Sequence, residues 1–292
     1  MLCLEAGKPA LCEKPLTVNA EQAKILYKTA KVMNLFLMEA VWTRYFPLSI
    51  AVREHITSGD IGEVLRVSAD LSIGVMPEEF ETSHRMVNKN LAGGCLLDLG
   101  IYSLTWVFQT MWHTLSQDLQ KQGGKPKVVG TAMTAEPRTG ADEMTTMLLE
   151  FPKSTPTGMT KAHAVATTAM RVSFDPDGKN SAGPAVRVLG TKGELQVFGP
   201  IYRPMGYRLI QMNGDVKDER FEVPGGGHGM FWEADEAARC WRDGKLESAG
   251  VSWEESTLIM EVMDEVRKQG GLKYPEAIES TKYPVELKAK WL

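Results

Sequence analysis

The sequence predicts an α/β fold: a short parallel sheet followed by an α+β region with a large open, mainly antiparallel sheet. Two observations predict the first part, the short apolar runs Pro9 to Glu13 and Leu35 to Trp42, which are separated by a helical repeat. A third predicts the second part, because strand patterns follow one another with almost no helix between residues 127 and 223. The pattern changes at Gly62, so we expect one domain over residues 1–62 and another over 63–292.

The first eight residues read as the last turns of a helix that Gly7 closes. The run Pro9 to Glu13 is apolar on both faces, which predicts a buried strand with neighbours on both sides. The sequence offers no strand upstream of it to be one of these neighbours. We therefore expect that about the first half of a doubly wound domain is missing, either by truncation of the sequence or by true loss.

The next elements are marked by caps and by periodicity. Asn19 is the expected N-cap of a helix that ends near Asn34, and Pro47 opens a helix through Ser58. Residues Glu63 to Leu71 alternate between polar and apolar, which predicts a strand with one solvated face. Residues Cys95 to Trp112 are apolar almost throughout and predict a largely buried helix.

The remaining chain predicts mostly strands and then two closing helices. The expected strands are Lys127 to Ala135, Met144 to Phe151, Thr157 to His163, Ala185 to Leu189, Glu194 to Phe198, Tyr207 to Gln211 and Arg220 to Val223. The helices are Met230 to Arg242 and Ser252 to Gln269, and Ser252 with Glu255 three residues later is typical of a helix start.

Composition narrows the class of protein. A hydrophobic content of 43% over 292 residues is enough for real cores, and a net charge of −4 argues against nucleic acid or an anionic membrane as a partner. We expect no leader peptide and no window long enough to span a bilayer. Four unpaired-looking cysteines fit the cytoplasm, and the five histidines lack metal-ligand spacing, so we expect no metal.

The stretch Gly7 to Leu16 is the first candidate for chemistry. Its apolar run delivers Lys14 into a proline turn at the carboxyl end of a strand, where ligands bind in open α/β sheets. Taken alone, these ten residues fit a surface lysine before a loop proline better than a catalytic lysine. By spacing alone, Tyr102 is likewise compatible with a core aromatic, although it shares a helix face with Asp98.

Two further blocks accompany this stretch in order: Glu39-Ala40-Val41-Trp42-Thr43-Arg44-Tyr45-Phe46-Pro47 and Gly93-Gly94-Cys95-Leu96-Leu97-Asp98-Leu99-Gly100-Ile101-Tyr102-Ser103. Together the three blocks resemble the Gfo/Idh/MocA oxidoreductase family. Within it, the chain most resembles the dimeric dihydrodiol dehydrogenases and the fungal NADP-dependent D-xylose dehydrogenases. The resemblance implies a truncated Rossmann-type parallel sheet and then the family's C-terminal substrate and dimerisation domain.

The resemblance also implies an activity and a catalytic set. It implies hydride transfer between NADP, with NAD possible, and a secondary hydroxyl of a sugar such as D-xylose or of a trans-dihydrodiol. Tyr102 would exchange the hydroxyl proton, Lys14 would lower the pKa of the phenol, and Asp98 would fix Lys14. The Lys14-Pro15 peptide bond is expected to be cis.

Binding residues and assembly follow from the same resemblance. The expected substrate-binding residues are Trp42 and Arg85, and the expected cofactor-binding residues are Glu13, Lys14, Pro15, Trp42 and Arg44. A homodimer through the open sheet is expected. Because no G-x-G-x-x-G spacing occurs in the 292 residues, a catalytically silent interaction protein stays open as an alternative from another class.

Overall fold

The architecture is two sheets joined by helices. We describe it from a computed structural model that covers residues 1–155 and 158–284. A two-stranded parallel sheet lies at the N-terminal end, and an eight-stranded sheet is built from residues 64 to 220. This confirms the predicted fold class.

The N-terminal part follows the predicted order of elements. These are α1 (Leu2–Glu5), β1 (Ala10–Glu13), α2 (Ala20–Val32) and β2 (Leu37–Ala40). Gly7 has φ +68° after α1, and the Asn19 side chain caps α2 by accepting from the Gln22 amide. Within the described residues β1 pairs with β2 alone, and Leu11 is 39% exposed, so β1 is not the fully buried strand that the sequence predicts.

The predicted second strand ends earlier than expected. β2 stops at Ala40, and a 3₁₀ helix over Trp42–Tyr45 turns the chain into α3 (Pro47–Thr57). Trp42 therefore starts the 3₁₀ helix instead of ending the strand. It stays at the carboxyl end of the parallel sheet, as predicted.

The large sheet has the order β10-β9-β8-β7-β3-β6-β5-β4. Its strands are β3 (Val64–Ser72), β4 (Lys127–Ala135), β5 (Asp142–Thr155), β6 (Gly158–Ala169), β7 (Val186–Gly190), β8 (Gly193–Val197), β9 (Gly206–Gln211) and β10 (Val216–Arg220). β3 pairs in parallel with β6, and the other pairs recorded are antiparallel.

One predicted strand is displaced. β10 begins at Val216, four residues before the predicted Arg220, because the turn after β9 is tight and returns the chain at once. The strand carries Lys, Asp, Glu and Arg and is mostly exposed, as a charged edge strand is, so hydrophobic alternation could not reveal it. Thr157, the predicted start of another strand, lies outside the described residues.

Helices cover one face of the large sheet. A π-helical turn over Leu96–Gly100 leads into α4 (Ile101–Met111), followed by α5 (Gln117–Gly123), α6 (Phe231–Arg242), α7 (Trp253–Gly270) and α8 (Glu276–Glu279). α4 packs on β3, α7 packs on β4, and α2 packs on α7, which joins the two sheets into one core. α5 and α8 were not predicted.

The expectation that no window could span a bilayer is wrong for the segment Lys89–Met111. It is long and apolar enough to do so, with a mean hydropathy of 1.5. However, 83% of its most apolar window is buried inside the protein, which is how a core helix satisfies the same test.

Candidate active site

Lys14 leaves the end of β1 and reaches the start of the buried helix. Its Nζ donates to the Asp98 carbonyl oxygen at 2.7 Å and to Asp98 Oδ1 at 3.2 Å. Only 12% of the Lys14 side chain is exposed, and the Lys14-Pro15 peptide bond is cis, as predicted. The structure thus brings Lys14 and Asp98 together, 84 residues apart in the chain.

Asp98 lies on the π-helical turn that precedes α4. Such turns widen a helix by one residue and are frequent at functional sites. Asp98 Oδ1 also accepts from Arg85 Nη1 at 3.0 Å, so one carboxylate oxygen is shared by two cations. Arg85 is 66% exposed, whereas Asp98 is 22% exposed, and the arginine therefore forms the outer edge of the cluster.

Tyr102 stands one turn further along the helix and is 6% exposed. Lys14 Nζ lies 4.7 Å from the centroid of the Tyr102 ring, and Trp42 Nε1 donates to the Tyr102 hydroxyl at 2.5 Å. The predicted set of Lys14, Asp98 and Tyr102 is therefore assembled, with Trp42 beside it.

The electrostatics differ from the expectation. Burial raises the pKa of the Tyr102 phenol well above its ordinary value, and the hydrogen bond from Trp42 only partly offsets this. The ammonium of Lys14 lies over the ring of Tyr102 and is not among the main influences on this pKa, so the expected lowering by Lys14 does not decide its direction. The phenol is consequently held in its protonated form.

Trp42 forms an aromatic wall beside the phenol. Its ring centroid lies 5.9 Å from that of Tyr202, 6.3 Å from that of His228 and 5.5 Å from that of Phe46. The ring centroid of Tyr202 also lies 6.0 Å from that of Tyr102, so the Tyr102 ring is flanked by both Trp42 and Tyr202.

A cleft of about 500 Å³ opens beside this cluster. Lys14, Pro15, Thr17, Arg85 and Asp98 are among the residues that line it. Glu13 is exposed at the end of β1, and its carboxylate accepts from the Lys14 amide at 3.2 Å. The cleft therefore opens at the carboxyl end of the parallel sheet, where ligands bind in such folds.

The chain aligns with sequence relatives over nearly its whole length. Residues 50–196 match the GFO/IDH/MocA C-terminal domain. The chain is 51% identical over 294 residues to D-xylose 1-dehydrogenase (NADP(+)) of Hypocrea jecorina, an alignment that covers 97% of this chain and 72% of that protein. The chain belongs to the Gfo/Idh/MocA oxidoreductase family.

A more distant sequence relative and two solved structures are also similar to this chain. Human trans-1,2-dihydrobenzene-1,2-diol dehydrogenase is 32% identical over 286 residues, covering 94% of this chain and 74% of that protein. An aldose-aldose oxidoreductase from Caulobacter crescentus, solved with glycerol, superposes with a TM-score of 0.71 at 21% identity, covering 92% of this chain and 72% of that one. A 3-ketoreductase from Actinomadura kijaniata, solved with NADP and TDP-benzene, gives 0.68 at 21% identity, covering 91% and 72%. At this identity the two structures show a shared fold.

The expectation that Arg44 binds the cofactor is wrong. The residue is fully buried, and its guanidinium is held by Glu255 and by the carbonyl oxygens of Gly250 and Thr105. Glu255 in turn accepts from or pairs with His113 at 2.9 Å. Arg44 is thus the centre of a buried polar cluster and does not face the cleft as a phosphate ligand would.

Sequence reasoning missed three side chains near the wall. Tyr202 and His228 reach Trp42 from loops, and His228 directly follows the run of glycines at residues 225–227. Glu233 is 5% exposed, and among the described residues its Oε2 has no hydrogen-bond partner. Burial, assisted by the charge of Glu13, raises the pKa of Glu233 to about 8. No local pattern distinguishes this glutamate from others on an amphipathic helix.

Metal chemistry has no obvious place in the described part of the chain. Among residues 1–155 and 158–284, no group of three His, Cys, Asp or Glu side chains is arranged to hold an ion. Of the assembled residues, Lys14 and Asp98 line the cleft, whereas Tyr102 is not among its lining residues.

Proposed function

We propose that the protein is an NADP-dependent dehydrogenase that oxidises a secondary hydroxyl of a small sugar such as D-xylose, or of a trans-dihydrodiol. The observation that carries this proposal is the 51% identity to D-xylose 1-dehydrogenase (NADP(+)) across 97% of the chain. The assembled Lys14, Asp98 and Tyr102 cluster supports it, because a proton carrier beside a fixed ammonium is what alcohol oxidation requires.

The residues at the carboxyl end of the parallel sheet fit the reactive end of a nicotinamide cofactor. Glu13 ends β1, and Lys14 and Pro15, which follow it, line the cleft. Trp42 follows β2 at the same end of the sheet but is not among the residues that line the cleft. When bound, NADP⁺ supplies a hydride acceptor. We assign no residue to its diphosphate, since the 292 residues contain no G-x-G-x-x-G spacing.

Tyr102 is the group we assign to proton transfer. Oxidation of a hydroxyl releases its proton, and the Tyr102 oxygen accepts that proton when the phenol is ionised. Because burial raises the pKa of Tyr102, the protonated phenol predominates at neutral pH and favours carbonyl reduction. We therefore expect the oxidation rate to rise steadily with pH above neutrality.

We assign to Lys14 and Asp98 the positioning of the reacting groups. Lys14 is tied to the Asp98 carbonyl and carboxylate, which leaves its third N–H direction for a substrate oxygen. The flat ring of Trp42 suits the apolar face of a sugar or diol ring, and Arg85 at the outer edge can donate to a further hydroxyl.

The proposal includes a homodimer through the outer face of the large sheet. Met144, Leu148 and Val165 are 42%, 42% and 36% exposed there, and Leu148 pairs directly with Val165 across β5 and β6. A clustered apolar face of this kind favours association with a second sheet. Light scattering on wild type and on Leu148→Lys tests it, with a monomeric variant expected.

A direct spectrophotometric assay of NADPH formation tests the activity. The full-length protein is mixed with NADP⁺ or NAD⁺ and with D-xylose or trans-1,2-dihydrobenzene-1,2-diol, and NADPH formation is followed. We expect turnover of D-xylose with NADP⁺ and a lower kcat/KM for the diol. No turnover of either compound with either cofactor, in a protein shown to be folded, would favour the silent interaction protein.

A further inference from the structure

A buried carboxylate lies behind the turn that carries Lys14. Glu39 of β2 is 2% exposed, and its Oε1 accepts from the Leu16 amide at 3.0 Å. Its Oε2 accepts from the Ser256 hydroxyl of α7, and the Tyr27 hydroxyl of α2 donates to the same Ser256 oxygen at 2.7 Å. Both oxygens of Glu39 thus have partners.

The register of the parallel sheet explains why Glu39 can reach Leu16. Cys12 is opposite Glu39, and Glu13 is opposite Ala40, so Glu39 stands level with the end of β1. Lys14 and Pro15 then turn away from the sheet, and Leu16 returns to it. The carboxylate therefore closes this turn from its far side, while Lys14 points to Asp98.

We infer that Glu39 is a positioning residue for Lys14: by accepting from the Leu16 amide, it fixes the turn so that Nζ stays at Asp98 and over Tyr102. This inference rests on the proposed function of Lys14. It adds a residue that touches neither substrate nor cofactor.

The charges around Glu39 are consistent with this role. Burial raises the pKa of Glu39, whereas its bonds to Ser256 and Leu16 and the nearby charge of Lys14 lower it, and Glu255 acts with burial. The Leu16 bond does not need a charge, because a neutral amide oxygen in the same place would also accept from the N–H.

Three variants separate positioning from general stability. Glu39→Gln retains an acceptor for Leu16, Glu39→Met removes it with similar volume, and Tyr27→Phe loosens the same network without touching the Leu16 bond. We expect Glu39→Met to lower kcat roughly 10²-fold with little change in the KM for NADP⁺, since small misplacements of a catalytic group have such effects. Glu39→Gln should restore most of the rate, and Tyr27→Phe should lower the melting temperature while kcat is retained.

A readout independent of turnover is the reactivity of Lys14 itself. Reductive methylation with formaldehyde and sodium cyanoborohydride as the hydride donor, followed by peptide mass spectrometry, measures how well Asp98 protects the amine, with Lys24 (side chain 42% exposed) as internal reference. Glu39→Met should lose the protection of Lys14, and Tyr27→Phe should keep it.

The two arms distinguish the possible failures. A wild-type protein without dehydrogenase activity contradicts the proposed function, and the methylation arm still tests the role of Glu39. Equal loss of kcat and of Lys14 protection in Glu39→Met and Tyr27→Phe would show a merely structural network. Unchanged Lys14 protection in Glu39→Met would also overturn the inference.

Discussion

The Lys14 turn and the helix that carries Asp98 and Tyr102 meet in one site, but different forces hold them. The turn follows a four-residue strand in a two-stranded sheet, and its far side is fixed by the hydrogen bond that the Leu16 amide donates to Glu39. The helix is fixed by packing, because every residue from Ile101 to Met111 is buried. The comparison teaches that polar substitutions should disturb the turn, whereas changes of volume should disturb the helix.

The start of the helix nevertheless has a polar anchor of its own. Asp142 of β5 accepts through Oδ2 from the Leu96 amide and from the Thr145 hydroxyl, both at 2.8 Å. Its Oδ1 has no partner among the described residues, unlike either oxygen of Glu39. Both carboxyl groups therefore anchor a backbone amide. Glu39 has hydrogen-bond partners at both oxygens, whereas Asp142 has them at Oδ2 alone among the described residues.

Tyr102→Phe separates the chemistry of the helix half from its packing. We expect kcat to fall by roughly 10²- to 10⁴-fold, because a positioned acid/base is lost while the ring remains. Steady-state kinetics measure this, and the KM for NADP⁺ should be nearly unchanged. Tyr207→Phe is the matched control, since that buried hydroxyl bonds His55 away from the site; similar turnover in both variants would remove Tyr102 from the mechanism.

Gly94→Ala disturbs the Asp142 anchor of the helix by adding one methyl group. Gly94 has φ +133°, and an added Cβ would stand 2.0 Å from Asp142 Oδ1. We expect a loss of about 2–4 kcal/mol in the free energy of unfolding, from backbone strain and steric overlap. Gly271→Ala, also at positive φ but with open space, should cost about 1–2 kcal/mol. Denaturant unfolding of both variants checks the difference, and equal losses would argue against the Asp142 contact.

Asp142→Asn tests the polar anchor of the helix through the pH dependence of the free energy of unfolding. Burial raises the pKa of Asp142 to about 6, so the stability that this group contributes is complete below the unfolded carboxyl pKa and is lost as pH rises through about 6. Unfolding at pH 4.5 and pH 8 should therefore show wild type losing about 2 kcal/mol that the variant does not lose. A difference of the opposite sign would mean that the carboxylate is stabilised in place.

Glu233→Gln applies the same test to a carboxyl outside both anchors. Since the pKa of Glu233 is raised to about 8, its stabilising contribution is lost as pH rises through 8. The variant should gain about 1 kcal/mol over wild type between pH 6.5 and pH 9.5, a modest value because the first turn of a helix opens readily to water. Thermal unfolding at the two pH values checks it, and Glu236→Gln on the same helix serves as control.

The sequence predicted much of the site because its signals are local. A strand followed directly by Lys14 and a helix face shared by Asp98 and Tyr102 are visible in short windows, and the structure brings them together. Arg44 was misjudged for the opposite reason. Its buried partner Glu255 is 211 residues away, and nothing nearby in the sequence distinguishes a core arginine from a phosphate ligand.

The anchors were invisible for the same physical reason. Glu39 acts on Leu16 across 23 residues, and Asp142 acts on Leu96 across 46, so each depends on how strands align and not on a local repeat. The π turn at Leu96–Gly100 also went unpredicted, because a window of apolar residues fits an α-helix equally well. Element type follows from short-range periodicity, whereas contacts between elements follow from register.

The parallel pairing of β3 with β6 has a consequence for how the protein is made. The hydroxyl of Thr168 in β6 bonds the Leu71 carbonyl of β3, which is 97 residues earlier. At a synthesis rate of about 5–20 residues per second, β3 waits roughly 5–20 seconds for this partner. The long apolar segment Lys89–Met111 leaves the ribosome during that interval, before the sheet that covers it is complete. We therefore expect this helix to need shielding from solvent while its covering strands are still being translated.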